Sequence, residues 1–242
     1  MSVVSGSLRS RIRSGVEPIA RLFGRVGLTP NALTLIGFGV AVIAAWAASS
    51  TDWIAASLLV AFGAIFDLFD GALARATNKT SRLGAFMDST FDRAGEAVVY
   101  VGIAVGLLTH IDAQGPLQLF GLGFDGSLGA VIAVSAMAAA FMVSYTRAKS
   151  ESLGFNSGSG MASVGLAPRE VRMVILVLGL FVGGIFEVSQ IGDYPAGVVP
   201  APQIWWIVLV GSLALIALLA TITTIQRILF VYRQSKSQEV ND

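Results

Sequence analysis

The 242-residue sequence has no cysteine and a single histidine, His110. The first absence excludes a disulfide framework, a thiolate nucleophile and cysteine-held zinc or iron–sulfur sites. The second excludes a multi-histidine metal site within one chain. Charge is scarce too: 13% of residues are charged against 55% hydrophobic, at a mean hydropathy of +0.75, where a soluble domain carries roughly a quarter charged residues. So few charges cannot cover a water-soluble body of this size, and the bilayer must be the main solvent. A secretory signal is also missing, because Arg11, Arg13, Arg21 and Arg25 interrupt the only apolar positions near the start and leave no continuous apolar core. Metal or acid–base chemistry, if the chain performs any, must rest on carboxylates.

What is present is a set of apolar runs. Six stretches, near 31–49, 53–75, 84–109, 127–148, 169–190 and 203–230, reach the roughly 20 residues that a hydrocarbon core about 30 Å thick requires. The expected fold is all-α, a polytopic membrane protein with six transmembrane helices forming one bundle over 31–230 within a single domain, 1–242. All 16 Lys and Arg fall on one side of these spans, and the opposite connections 50–52, 110–126 and 191–202 contain none. The positive-inside rule then places both termini in the cytoplasm, with the plasma (inner) membrane as the expected location and no nucleic-acid partner. Leu8, Ile12, Val16 and Ile19 recur at helical spacing among the arginines, so 7–26 reads as an amphipathic juxtamembrane helix on the inner surface. The polar stretch 233–242 reads as a frayed cytoplasmic tail. Trp53, Trp205 and Trp206, near the outer boundary, read as aromatic anchors.

Against this background the acidic residues stand out. Span two ends in Asp67-Leu68-Phe69-Asp70-Gly71, and span three soon carries Asp88, Asp92, Arg93 and Glu96. Asp67 and Asp70 are at i, i+3 and Asp88 and Asp92 at i, i+4, so each pair shares a helix face. The short connection 76–83 predicts that spans two and three are antiparallel neighbours, which would gather four carboxylates near the cytoplasmic surface. One unpaired aspartate at such depth costs a few kcal/mol even on the lenient insertion scale, and four together repel. Two divalent ions would neutralise them. Oxygen ligands without His or Cys favour Mg²⁺, with Mn²⁺ as the alternative, over zinc. Magnesium commonly shares its shell with substrate phosphates, so the cluster points to phosphate chemistry. A cation carrier or channel with an acidic ring explains the carboxylates as well, but not the basic groups described below.

The run Asp67-x-x-Asp70-Gly71-x-x-Ala74-Arg75, eight residues, Gly84-x-x-x-Asp88-x-x-x-Asp92 resembles the complete signature of the CDP-alcohol phosphatidyltransferases. The resemblance extends over about 16–230 and implies a homodimer that transfers a phosphatidyl group from CDP-diacylglycerol to an alcohol and releases CMP. Carried onto these positions, it implies that Asp67 and Asp88 bridge two metal ions, that Asp70 completes the first and that Asp92 binds the second and deprotonates the acceptor hydroxyl. It further implies that Gly71 admits the nucleotide, with Ala74 and Gly84 fixed beside it, and that Arg75 and Ser81 contact the CDP moiety. Asn31-Ala32-Leu33-Thr34 resembles the family's segment that opens the first span and touches the nucleotide. The same stretch is also a helix start, with Thr29 or Asn31 as cap beside Pro30.

A second basic group lies on the same side: Arg147 and Lys149 at the end of span four, Arg169 and Arg172 at the start of span five. Guanidinium forks suit a dianionic phosphate, though positive-inside residues at span ends would look the same. Ser144-Tyr145-Thr146-Arg147-Ala148-Lys149 and the later Arg169-x-x-Arg172 resemble the acceptor-pocket segments of bacterial phosphatidylinositol phosphate synthases, with lysine and arginine exchanged between 147 and 149. The expected acceptor is therefore inositol 3-phosphate. The alternative is glycerol 3-phosphate, as in a phosphatidylglycerophosphate synthase, which needs similar cations. Gly102-x-x-x-Gly106 and Gly179-x-x-x-Gly183 mark close helix contacts within or between protomers.

Overall fold

A computed structural model of the chain describes residues 27–76, 80–114, 117–119, 122–124, 126–155, 164–189 and 204–239. The expected juxtamembrane helix over 7–26 lies outside these. Six long helices account for most of the rest: α1 (Pro30–Ser49), α2 (Trp53–Ala76), α3 (Arg82–Gln114), α4 (Gly126–Ser152), α5 (Arg169–Ser189) and α6 (Ile204–Glu239). All but α3 are long and apolar enough to cross a membrane, and the chain is a multi-pass membrane protein. α3 carries Arg82, Asp88, Asp92, Arg93 and Glu96 in its first half, which dilutes an otherwise apolar run.

Two boundaries differ from expectation. The connection after span three is not a plain loop: Leu117–Leu119 (β1) pairs antiparallel with Leu122–Phe124 (β2), and the apolar residues at 117, 119, 122 and 124 follow the period of two that suits a strand. At the other end, α6 continues through Arg233, Gln234 and Lys236 to Glu239 instead of fraying. These are good helix formers, and the Lys236 ammonium rests 5.0 Å from the Tyr232 ring centre one turn back.

The helices close into a ring in which each has two principal neighbours, in the order α1, α3, α4, α6, α5, α2 and back to α1. Spans two and three are therefore not the packed pair that their short connection suggested. α1 lies between them, because its small residues let both helices approach it closely. A Cβ at Gly102 of α3 would collide with the Ala45 carbonyl of α1, and one at Gly106 with the Ala48 carbonyl, so this glycine pair serves packing inside the protomer. Gly179 of α5 meets Ser212 of α6 in the same way.

The three tryptophans are core residues and not interfacial anchors. Trp53, Trp205 and Trp206 are buried, and Trp53 stacks on Trp205 at 6.3 Å between ring centres. Glycines make the room: a Cβ on Gly106 would fall 2.8 Å from the Trp53 ring, and one on Gly184 would fall 3.1 Å from its Cβ.

Candidate active site

α1 starts with Thr29 in extended conformation (φ −93°, ψ 155°), its hydroxyl accepting from the Ala32 amide at 3.2 Å, with Pro30 in the first turn. Thr29 is thus the cap, and Asn31 is left to face elsewhere. Its Oδ1 lies 3.3 Å from where a Cβ would stand on Gly84, at the start of α3, where the Ser81 hydroxyl accepts from the Gly84 amide at 2.9 Å. Three of the residues expected at the nucleotide, Asn31, Ser81 and Gly84, thus meet where two helices begin. Leu33 is buried with Ala72 and Leu73 of α2, and Thr34 donates to the Pro30 carbonyl at 3.2 Å. Ala32 and Ala74 are half-buried, while Arg75 is exposed at the last turn of α2.

Below this rim a cavity opens between α1, α2, α3 and α5, lined among others by Gly37, Asp67, Asp92, Glu96 and Arg169. Because α1 holds α2 and α3 apart, Asp67 and Asp92 face each other across this space instead of through packed side chains. One group joins them. Arg169, the first residue of α5, donates from Nη1 to Asp92 Oδ2 at 2.7 Å and from Nη2 to Asp67 Oδ2 at 2.8 Å. The positive end of the α5 dipole adds to that field. Asp88 stands one turn before Asp92 on the same helix. The side chains of Asp70 and Gly71 lie outside the described residues.

Deeper in, Glu96 anchors two more cations. Arg172 donates to its two carboxylate oxygens at 3.0–3.2 Å and to the Ala167 carbonyl at 3.1 Å. Arg93 reaches it at 3.1 Å and lies 3.9 Å from Asp92. The two basic residues of the Arg169-x-x-Arg172 pair therefore have different partners, one at the rim of the cavity and one inside the protein. Arg147 and Lys149 are exposed at the end of α4, with Arg147 paired to Glu151 at 2.8 Å.

Two residues of α6 bear on this site without any motif to announce them. Arg227 is buried and donates from Nε to the Val164 carbonyl at 3.1 Å and from Nη1 to the Val143 carbonyl. Thr223 accepts from the Ala167 amide at 2.9 Å, and Gly165 takes a φ of +118° against its side chain, where a Cβ would collide. Together they fix the segment that delivers Arg169. From the sequence, Arg227 looks like any cation at a span end; the only signal was its position within a helix that offers no acid nearby.

Among the described residues, no three acidic or histidine side chains are gathered closely enough to hold an ion as they stand. The donor set nevertheless fits a hard divalent cation: all its ligating groups are carboxylates, and the guanidinium between Asp67 and Asp92 marks the point where positive charge is required. Asp67, Asp88 and Asp92 are the described residues that could hold it.

Residues 27–192 match the family model of the CDP-alcohol phosphatidyltransferases. The chain is 33% identical to an archaetidylinositol phosphate synthase of Pyrococcus horikoshii, over 96% of this chain and 97% of that one. It is 30% identical to a phosphatidylinositol phosphate synthase of Streptomyces avermitilis, over 91% and 79%. Among solved structures, the phosphatidylinositol phosphate synthase of Mycobacterium tuberculosis with CDP-DAG bound matches with a TM-score of 0.68 at 28% identity, over 90% of this chain and 93% of that one. The same enzyme in complex with manganese and citrate matches with a TM-score of 0.69, at 28% identity over 90% and 88%.

Proposed function

The chain belongs to the CDP-alcohol phosphatidyltransferase family, and from that premise we propose that it transfers the phosphatidyl group of CDP-diacylglycerol to inositol 3-phosphate, giving phosphatidylinositol phosphate and CMP. The observation that carries the choice of a phosphorylated acceptor is the contact of Arg169 with both Asp67 and Asp92, which sets a guanidinium, a group suited to phosphate, beside the carboxylates. The relatives support inositol phosphate in particular. Those named for archaetidyl and for phosphatidyl lipids differ in the lipid, yet share inositol phosphate in their names.

In this reading Asp67, Asp70, Asp88 and Asp92 hold two Mg²⁺ ions, for which Mn²⁺ can substitute. Bound there, the ions would offset the diphosphate charge and make the phosphorus more electrophilic. The chain's own groups do the rest. Asn31 to Thr34, Gly71, Ala74, Arg75, Ser81 and Gly84 seat the CDP moiety at the rim. Asp92 takes the proton of the acceptor hydroxyl as its oxygen bonds to the β-phosphorus of the donor, the one that carries the diacylglycerol. The bond from that phosphorus to the bridging oxygen breaks, and CMP leaves. Arg169 holds the acceptor phosphate, with Arg147 and Lys149 on the same side, while Arg172, expected there from the sequence, is buried against Glu96. The site faces the cytoplasm, as do both termini of a six-span bundle, which acts as a homodimer.

The test is an assay of the purified full-length chain with CDP-diacylglycerol, Mg²⁺ and either acceptor, with the lipid product identified by mass spectrometry. Phosphatidylinositol phosphate and CMP in equal amounts are expected. Turnover with glycerol 3-phosphate alone would overturn the acceptor assignment.

A further inference from the structure

The two arginines that open α5 are held very differently. Arg172 is fully buried, and among the described residues every hydrogen bond it makes is to Glu96 or to the Ala167 carbonyl. Arg169 keeps 26% of its side chain exposed. It spends Nη1 and Nη2 on carboxylates from two separate helices, and its buried Nε–H has no hydrogen-bond partner among the described residues. A guanidinium can clamp one carboxylate with two parallel bonds. Arg169 does not; it bridges two carboxylates, using one oxygen from each.

Those oxygens have another use. Asp67 and Asp92 belong to the acidic set that fits a divalent cation, so ion and guanidinium compete for the same Oδ2 atoms. The backbone of Arg169 cannot follow a change of partner, because Thr223 and Arg227 pin the segment before it. Its side chain can, by rotation about its own bonds, and it starts in the first turn of α5, where backbone N–H groups and the helix dipole already favour an anion.

We infer that Arg169 is an exchangeable counter-ion: it bridges Asp67 and Asp92 until divalent ions take them, and the released guanidinium then binds the acceptor phosphate. Metal and acceptor therefore bind cooperatively, and by linkage each tightens the other by the same factor. The device keeps a positive charge beside Asp67 and Asp92 before the ions arrive and withholds the acceptor-binding arginine until the centre is loaded. This inference rests on the transferase reading of the site.

Arginine modification by phenylglyoxal, located by peptide mass spectrometry on the full chain in detergent, reads the exchange directly. Mn²⁺ should speed labelling of Arg169 by about tenfold, within the usual range of such couplings, and inositol 3-phosphate added with Mn²⁺ should suppress it. Arg172, held by Glu96, should stay unlabelled throughout. Labelling of Arg169 that is unchanged or slowed by Mn²⁺ overturns the inference. A second readout is Mn²⁺ affinity, followed by the electron paramagnetic resonance signal of the free ion. Arg169→Gln should bind Mn²⁺ about five- to tenfold more tightly than the unaltered chain, and equal or weaker binding counts against the exchange. If that variant fails to fold, the labelling of the unaltered chain decides alone. The acceptor reading is separable: protection by glycerol 3-phosphate in place of inositol 3-phosphate, after an intact Mn²⁺-dependent rise, leaves the exchange standing and corrects the acceptor.

Discussion

Glu96 of α3 accepts three hydrogen bonds from the guanidinium of Arg172 on α5, with both side chains withdrawn from solvent. The pair spans the ring of helices, since α3 and α5 are not principal neighbours. It ties the helix that carries Asp88 and Asp92 to the helix that carries Arg169.

Removing one partner should therefore be far worse than removing both. Arg172→Met leaves Glu96 with Arg93 alone among the described residues, and breaking a buried pair in this way typically costs about 3–5 kcal/mol. The double variant Glu96→Leu with Arg172→Met should recover part of that loss, because the buried acid leaves together with the buried guanidinium and Arg93 keeps its contact with Asp92. Thermal unfolding of the detergent-solubilised chain measures both; a double variant no more stable than the single one would contradict the account.

The Gly102 and Gly106 contacts predict a packing effect that does not involve the site. Gly102→Ala drives a methyl group into the Ala45 carbonyl of α1, and overpacking of this kind costs about 1–3 kcal/mol. Gly39→Ala is the control, since nothing lies within 4 Å of its Cβ position. Unfolding temperatures should fall for the first and hold for the second.

Asp92→Asn keeps the size of the side chain while removing its charge and basicity. Turnover should fall by about 10²- to 10⁴-fold, the usual worth of a positioned base, with CDP-diacylglycerol binding retained through the rim residues. The check is kcat measured beside equilibrium binding of the CDP-lipid. A variant that loses lipid binding but keeps kcat would place Asp92 in recognition and not in proton transfer.

Chelation tests the carboxylate centre as a whole. Treatment with a chelator should abolish CMP release, and either Mg²⁺ or Mn²⁺ should restore it, since an all-oxygen ligand set accepts both. Activity that survives exhaustive chelation would contradict a metal-loaded centre.

How much of this was legible in the residues depends on what each feature requires. The apolar runs are local facts, and they led directly to the helices; the Asp67 to Asp92 spacing is local too, and Asp67 and Asp92 do line one cavity. The neighbours of those helices are not local: α1 separates α2 from α3 because Gly102 and Gly106 fit against Ala45 and Ala48, a match between distant stretches that a short connection cannot foretell. The tryptophans were misread for the same reason, since Trp53 is buried by space that Gly106 and Gly184 leave open. Arg169 and Arg172 look alike at i, i+3 and on a charge count. Only the packed structure separates the one at the carboxylate rim from the one sealed against Glu96. Arg227 shows the limit most clearly, because its partners are backbone carbonyls, which no side-chain pattern records.

The most direct test of the central claim is the ratio of kcat/KM for inositol 3-phosphate to that for glycerol 3-phosphate, measured on the purified chain with CDP-diacylglycerol and Mg²⁺. A site built around the first acceptor leaves polar groups unpaired with the second, and discrimination of that kind reaches about 10⁴-fold or more. A ratio strongly in favour of inositol 3-phosphate is the predicted result; a ratio near one, or inverted, would contradict it.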